Sequence, residues 1–242
     1  MSLEEGGEKM YSFQTKVRYS ETDEAGRMNL DAMINYFQDC SVFHSESLGL
    51  GVAYLKENHL AWVMSAWQIV IEEYPRFCED ITVATFPYAF KGFIGYRNFF
   101  MENIKGEKIV KANSIWTLIH TNTMHPVKPN AAMEEGYVLE EKLDMEYAPR
   151  KIALPSSNIR GEEILVKAHH IDSNNHVNNA QYISMAMDYL RSEQTIHQLR
   201  AEYKKQAVLG DVIVPFIGNT ENGTVIQLCD TEERPYAVIE VQ

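Results

Sequence analysis

The chain has 242 residues, 45% of them hydrophobic and 11% aromatic, enough for one large domain or two smaller ones. A formal charge of −12 argues against general nucleic-acid binding, and no apolar run approaches the ~20 residues that span a bilayer. The opening "MSLEEGGEKM" is neither a signal peptide nor an Arg-rich transit peptide, so a cytoplasmic location is expected. Three dispersed cysteines, Cys40, Cys78 and Cys229, exclude a fully paired disulfide framework, and without a CxxC a structural zinc is not expected.

In chain order, a β-like run over Tyr11–Ser20 leads into a polar turn. Leu30, Met33, Ile34, Phe37, Ser41 and Leu48 then recur at helical spacing. Strands are expected at 61–74, 80–90, 95–104 and 108–120, with "IKGEK" (104–108) as a hairpin turn. A linker over 121–163 holds Pro126, Pro129, Pro149 and Pro155. Its stretch 132–146 has six acids and one lysine, net −5, and reads as a solvated connector. A second β-like run, Ile164–His170, precedes another polar turn and a helix carrying Tyr182, Ile183, Ala186, Met187 and Leu190. Strands follow at 199–209, 211–220, 223–231 and 234–241, with "TENG" (220–223) as a tight turn.

The two halves repeat. At a constant offset of 149, Val17, Arg18, Asp23, Met28, Asn29, Ile34 and Asp39 fall on Val166, Lys167, Asp172, Val177, Asn178, Ile183 and Asp188. Each copy reads as one helix followed by an antiparallel run of strands. This predicts an α+β fold of two tandem units, each a curved sheet around a central helix, with the sheets joined side by side to remove two edges. The expected boundaries are 1–120 for the first unit, 121–163 for the linker and 164–242 for the second.

Chemistry is concentrated in "HHIDSNNHVNNAQYI" (169–183). Asn178 or Asn179 suits a helix N-cap. In extended backbone Asp172, Asn174 and His176 share one face: a carboxylate, an amide and an imidazole ahead of a helix N-terminus whose N–H groups can hold an oxyanion. That set suits attack of water on a carbonyl. His169 and His170, consecutive on an expected strand, face opposite ways, so no metal is expected there. In the first copy Arg27 stands for His176 and Ala25 for Asn174, which leaves Asp23 as a turn or cap residue.

Several stretches resemble one family. "LAWVMSAWQIVIEEYP" (60–75), "GFIGYRNFF" with "GEKIVKANSIWTLIHTNT" (92–123), "DSNNHVNNAQYI" (172–183) and "AEYKKQA" (201–207) are similar to motifs of the acyl-ACP thioesterases. The resemblance implies a double hotdog fold, release of fatty acid from acyl carrier protein, no cofactor, and catalytic roles for Asp172, Asn174 and His176. Two positions depart from the family's E-Y-R-R-E-C segment: its glutamate is Gln206 and its cysteine Ala207, so a thiol nucleophile is not available there. Gln206 can orient water or imidazole, and Asp172 is left as either base or nucleophile.

The second unit is thus expected to do the chemistry. The first is expected to line an acyl tunnel, with Met33, Phe37, Trp62, Met64 and Trp67 as candidate walls, and Val177 is a further substrate-binding candidate. Arg200, Lys204 and Lys205, with Arg191 and Lys167 nearby, form a candidate dock for acyl carrier protein. Acyl-CoA hydrolysis and non-catalytic acyl binding are the competing readings, and either a monomer or a homodimer is compatible with the sequence.

Overall fold

A computed structural model describes residues 10–190 and 195–242. The first unit contains β1 (Tyr11–Lys16), α1 (Leu30–Ser47), α2 (Val52–Glu57), β2 (Leu60–Ile71), β3 (Asp80–Lys91), β4 (Ile94–Glu102), β5 (Lys108–His120) and the short β6 (His125–Pro126). A connecting stretch carries α3 (Ala131–Gly136) and β7 (Ile159–Arg160). The second unit contains β8 (Ile164–Leu165), α4 (Asn179–Met187), β9 (Gln198–Tyr203), β10 (Val212–Thr220), β11 (Gly223–Cys229) and β12 (Pro235–Val241). All these strands belong to one antiparallel system of order β1-β3-β4-β5-β2-β9-β12-β11-β10-β7, with β6 on β5 and β8 on β10. No helix of the described residues is long and apolar enough to cross a membrane.

The expected seam is present. β2 pairs with β9 from Ala66↔Glu202 to Val70↔Gln198, so each unit's inner edge strand is covered by the other. α1 and α4 lie side by side beneath the sheet. Met33, Ile34 and Phe37 of α1 and Tyr182, Ile183 and Ala186 of α4 share one buried core with Trp67, Phe99, Leu199 and Ile239. Helical spacing turned toward a common sheet accounts for that core.

The repeat extends to the hydrogen bonds. Asn29 N–H donates to the Glu21 carbonyl as Asn178 N–H does to that of His170, and Met28 bonds Pro75 as Val177 bonds Ala207. Glu21 accepts the Arg18 N–H through its carboxylate, while His170 accepts the Lys167 N–H through Nδ1. This corrects the expected second β-like run. It is a strand only over Ile164–Leu165, and Ala168–His170 form a 3-10 turn. β9 likewise stops at Tyr203, because the N–H groups of Lys204 and Lys205 both turn to the Tyr236 carbonyl.

The linker is not simply solvated. Met133 and Tyr137 are buried against Leu50 and Leu118 in a second core that closes one end of the first unit. The chain then crosses the outer face of the sheet. Asn98 accepts from Leu143 N–H and Tyr147 Oη, Gln68 bonds Glu146 and Ala148, and Arg200 bonds the carbonyls of Pro149 and Lys151. Ile152 then packs on Val225 and Val238.

Candidate active site

Residues 172–176 are not extended, so the shared-face argument for Asp172, Asn174 and His176 does not hold. They form a closed turn. Asp172 N–H donates to the His176 carbonyl at 2.8 Å, Asn175 sits at φ +63°, and Asp172 Oδ1 accepts the N–H groups of Asn174 (2.8 Å) and His176 (3.4 Å). The carboxylate folds back on its own turn because aspartate accepts readily from amides two and four residues on, and asparagine tolerates the left-handed backbone.

The same turn occurs at Asp23–Arg27 and Asp230–Arg234. In both, Oδ1 accepts two backbone N–H groups at 2.9 Å, and the fourth residue has positive φ (Gly26 +71°, Glu233 +62°). The three differ at the other carboxylate oxygen. Arg27 Nε donates to Asp23 Oδ2 at 2.9 Å; Arg234 Nε and Lys205 Nζ both donate to Asp230 Oδ2, each at 2.9 Å. Burial alone would raise the pKa of Asp23, but the Arg27 amide and guanidinium outweigh it and hold the carboxyl below its ordinary value. At Asp230 too burial is the largest single influence and pushes the pKa up, but the Arg234 amide, Lys205, the Arg234 side chain and the Glu232 amide together outweigh it and hold the carboxyl well below its ordinary value. Among the described residues nothing donates to Asp172 Oδ2. His176, at the position of the two arginines, leaves its buried Nδ1 without a partner. The first copy has therefore become an ion-paired plug, with Arg27 also over the Tyr74 ring at 5.4 Å. The second keeps a carboxylate oxygen and an imidazole nitrogen unspent within one turn.

Around this turn, Asn178 is the N-cap, its side chain accepting the Ala180 N–H at 2.8 Å, which takes that amide away from any oxyanion. Asn179 instead reaches across to α1, where its Nδ2 donates to Gln38 Oε1 at 2.9 Å. Ala207 is fully buried, its carbonyl accepting from Val177 and its N–H donating to Tyr182 Oη at 2.8 Å. The segment 206–207 thus lies against the turn, with Gln206 and Asn174 both exposed. Sequence reading placed Tyr182 only as a helix residue; its hydroxyl contact joins α4 to this segment and carried no separate signal.

The other expected residues are placed differently. Met33, Phe37, Met64, Trp67 and Val177 are buried in the main core, while Trp62 belongs to the second, stacked on Phe90. Arg200 does not belong to a docking face. It is 7% exposed, pairs with buried Glu240 at 2.7 Å and holds the linker. Lys204 and Lys205 are exposed but paired with Glu202 and Asp230. Arg191 lies outside the described residues. His169 and His170 sit on the 3-10 turn, not on a strand, with ring centroids 4.1 Å apart. They border a cleft of about 620 Å³ on the outer side of α4 with Glu162, Gln181, Asp188 and Tyr189. No group of His, Cys, Asp and Glu among the described residues is arranged to hold a metal ion. Burial pushes the Cys40 thiol up to about 12 and that of Cys229 up to about 11, which suits neither to nucleophilic attack.

Comparison with known proteins matches both units of the fold to one family. The acyl-ACP thioesterase N-terminal domain matches residues 8–136, and the C-terminal domain of the same family matches residues 155–239. A chloroplastic palmitoyl-acyl carrier protein thioesterase of Gossypium hirsutum is 23% identical over 236 residues, covering 88% of this chain and 57% of the relative. A chloroplastic oleoyl-acyl carrier protein thioesterase of Arabidopsis thaliana is 22% identical over 241 residues, covering 88% and 64%. The chain therefore spans less than two thirds of the length of these relatives. Among solved structures, an acyl-ACP thioesterase from Bacteroides thetaiotaomicron superposes with a TM-score of 0.89 at 25% identity, covering 96% of this chain and 97% of that one. The 12:0-ACP thioesterase of Umbellularia californica gives 0.83 at 17% identity, covering 97% of each chain. With both domains of one family matched in order along a double hotdog, the chain belongs to the acyl-ACP thioesterase family.

Proposed function

We propose that the protein hydrolyses the thioester of a fatty acyl group on acyl carrier protein, releasing the free fatty acid and the carrier thiol. The observation that carries this reading is the Asp172 turn, which repeats a structural turn found elsewhere in the chain but leaves Oδ2 and the His176 imidazole unspent. In the simplest route Asp172 or His176 takes a proton from water as its oxygen bonds the thioester carbon. The C–S bond then breaks and the departing sulfur takes the proton. Attack by Asp172 Oδ2 itself uses the same free oxygen: the C–S bond breaks as a mixed anhydride forms, the sulfur leaves as thiolate, and water then opens the anhydride to fatty acid and the Asp172 carboxylate, its spare proton passing to the thiolate. Asn174 orients the thioester oxygen and Gln206 orients water. With alanine at 207, neither route needs a thiol.

The second unit (164–242) then carries the chemistry, and the first (1–120), joined through 121–163, carries the acyl chain. Val177, beside the turn, shares one core with Met33, Phe37, Met64 and Trp67, which supports a continuous apolar path from the reacting carbon into the first unit. Trp62 stands at its far end. Lys204 and Lys205, next to Gln206, are the proposed contacts for the carrier. The relatives named above act on acyl carrier protein, which favours that carrier over coenzyme A. Offering acyl-ACP and acyl-CoA side by side and measuring free fatty acid tests the reading. Faster release from acyl-ACP is expected, and no release from either would overturn it.

A further inference from the structure

The two units close their turns against the same strand end, and there they differ in two residues that meet. Val177 N–H donates to the Ala207 carbonyl at 2.9 Å, as Met28 N–H donates to that of Pro75 at 2.8 Å. Further along, Gly210 N–H donates to the Val166 carbonyl as Cys78 N–H donates to that of Val17, both donors at positive φ. This register sets Tyr74, Pro75 and Cys78 on Gln206, Ala207 and Gly210. On the helix side the repeat sets Arg27 on His176 and Met33 on Tyr182. In the second unit Ala207 N–H donates to Tyr182 Oη at 2.8 Å, inside the core. In the first unit both halves of that bond are gone: proline has no N–H and methionine has no hydroxyl.

Packing does not call for the bond. Tyr182 and Met33 are both fully buried, so the slot is filled by an apolar side chain in the unit that has become an ion-paired plug. A hydroxyl in that slot costs free energy to bury, and its bond to Ala207 offsets the cost. The bond is present where the Asp172 turn keeps its free groups and absent where Asp23 and Arg27 have spent theirs.

Gln206 is the residue that such a bond can fix. It is exposed and its side chain makes no hydrogen bond among the described residues, so the backbone beside it sets where it points. The Ala207 N–H belongs to the rigid peptide plane that starts at Gln206 Cα. Holding that N–H holds the direction of Gln206. The first unit shows what the direction is. Arg27 and Tyr74, at the positions of His176 and Gln206, face each other, with the guanidinium 5.4 Å from the ring centre.

We infer that Tyr182 is a positioning residue: its hydroxyl, acting through the Ala207 amide, keeps Gln206 turned toward His176. The inference rests on the thioesterase reading above. Held there, Gln206 presents its amide to the water that Asp172 or His176 deprotonates. Without the hydroxyl the peptide plane is released, and Gln206 samples directions in which it meets no water at the site.

The test is kcat and KM for an acyl-ACP in wild type, Tyr182→Phe, Gln206→Ala and the double variant. Tyr182→Phe keeps the buried ring and removes the hydroxyl. It should lower kcat at least ~10-fold with KM nearly fixed, since a misplacement of ~1 Å can cost ~100-fold. In the Gln206→Ala background the same change should cost less than about 2-fold, because the group it positions is gone. A hydroxyl that supports the fold alone would cost the same factor in both backgrounds. Equal factors, or wild-type kcat in Tyr182→Phe, overturn the inference. If Tyr182→Phe does not fold, Ala207→Pro removes the other half of the bond, using the residue that the first unit carries there, and is judged by the same comparison. If neither folds, the bond serves the fold and the inference falls. Wild type that releases no fatty acid refutes the thioesterase reading and the inference with it; an active wild type with equal factors overturns the inference alone.

Discussion

Asp172 divides two duties between its two oxygens. Oδ1 holds the turn through the amides of Asn174 and His176, and Oδ2 is left for chemistry. Asparagine keeps an acceptor at Oδ1 but loses the negative charge. Asp172→Asn should therefore lower kcat at least ~100-fold, the usual size for a lost acid or base group, with Tm close to wild type. Asp172→Ala removes both duties and should also cost about 1–2 kcal/mol of stability through the two orphaned amides. Steady-state kinetics and thermal melts on the two variants separate the roles. Turnover near wild type in Asp172→Asn would remove Asp172 from the reaction. The site's residue types could be read from the sequence, but not its geometry: alternation along an extended strand was the wrong frame, because Asn175 takes positive φ and the carboxylate caps its own turn.

At the scale of elements, the paired helices and the sheet order follow from features visible in the sequence. Apolar residues at helical spacing, two glycine turns and the 149-residue offset are local patterns that need no tertiary knowledge. The path of the linker is different. Gln68 and Arg200 lie between apolar neighbours on their strands and Asn98 between Arg97 and Phe99, and such polar positions read equally as a face turned to water. Only the fold shows that they anchor the linker. Arg200 is the firmest of these anchors, since it joins β9 to Glu240 on β12 and to two linker carbonyls. Glu240 is 1% exposed, so Arg200→Met would strand a buried carboxylate. The expected loss is about 3–5 kcal/mol in denaturant unfolding, the range for breaking a buried pair from one side. A loss below ~1 kcal/mol would show that water replaces the guanidinium and that the pair is not structural.

For the whole molecule, the proposed substrate raises a matter of charge, because an acidic chain would have to receive an acidic carrier. At a net charge of −12 the two proteins repel unless a local patch reverses the field. Removing Arg200 from the expected patch leaves Lys204 and Lys205, and these are already paired with Glu202 and Asp230. Both lysine side chains remain about a third to a half exposed, at 35% and 45%. Their carboxylate partners are largely buried, but Glu202 also faces Arg150 and Asp230 also faces Arg234, so a docking carrier can recruit the lysines without leaving either carboxylate unpaired. The double change Lys204→Glu with Lys205→Glu should raise KM for acyl-ACP several-fold with kcat nearly fixed, and added salt should weaken wild type more than the variant. The variant also strips partners from two mostly buried carboxylates, so a general loss of fold must be told apart from a loss of docking. An acyl-pantetheine thioester, which has no carrier protein, makes that distinction: its KM should be the same in both enzymes. If KM rises equally for both substrates, the lysines support the site rather than the carrier; if neither KM moves, the carrier docks on another face.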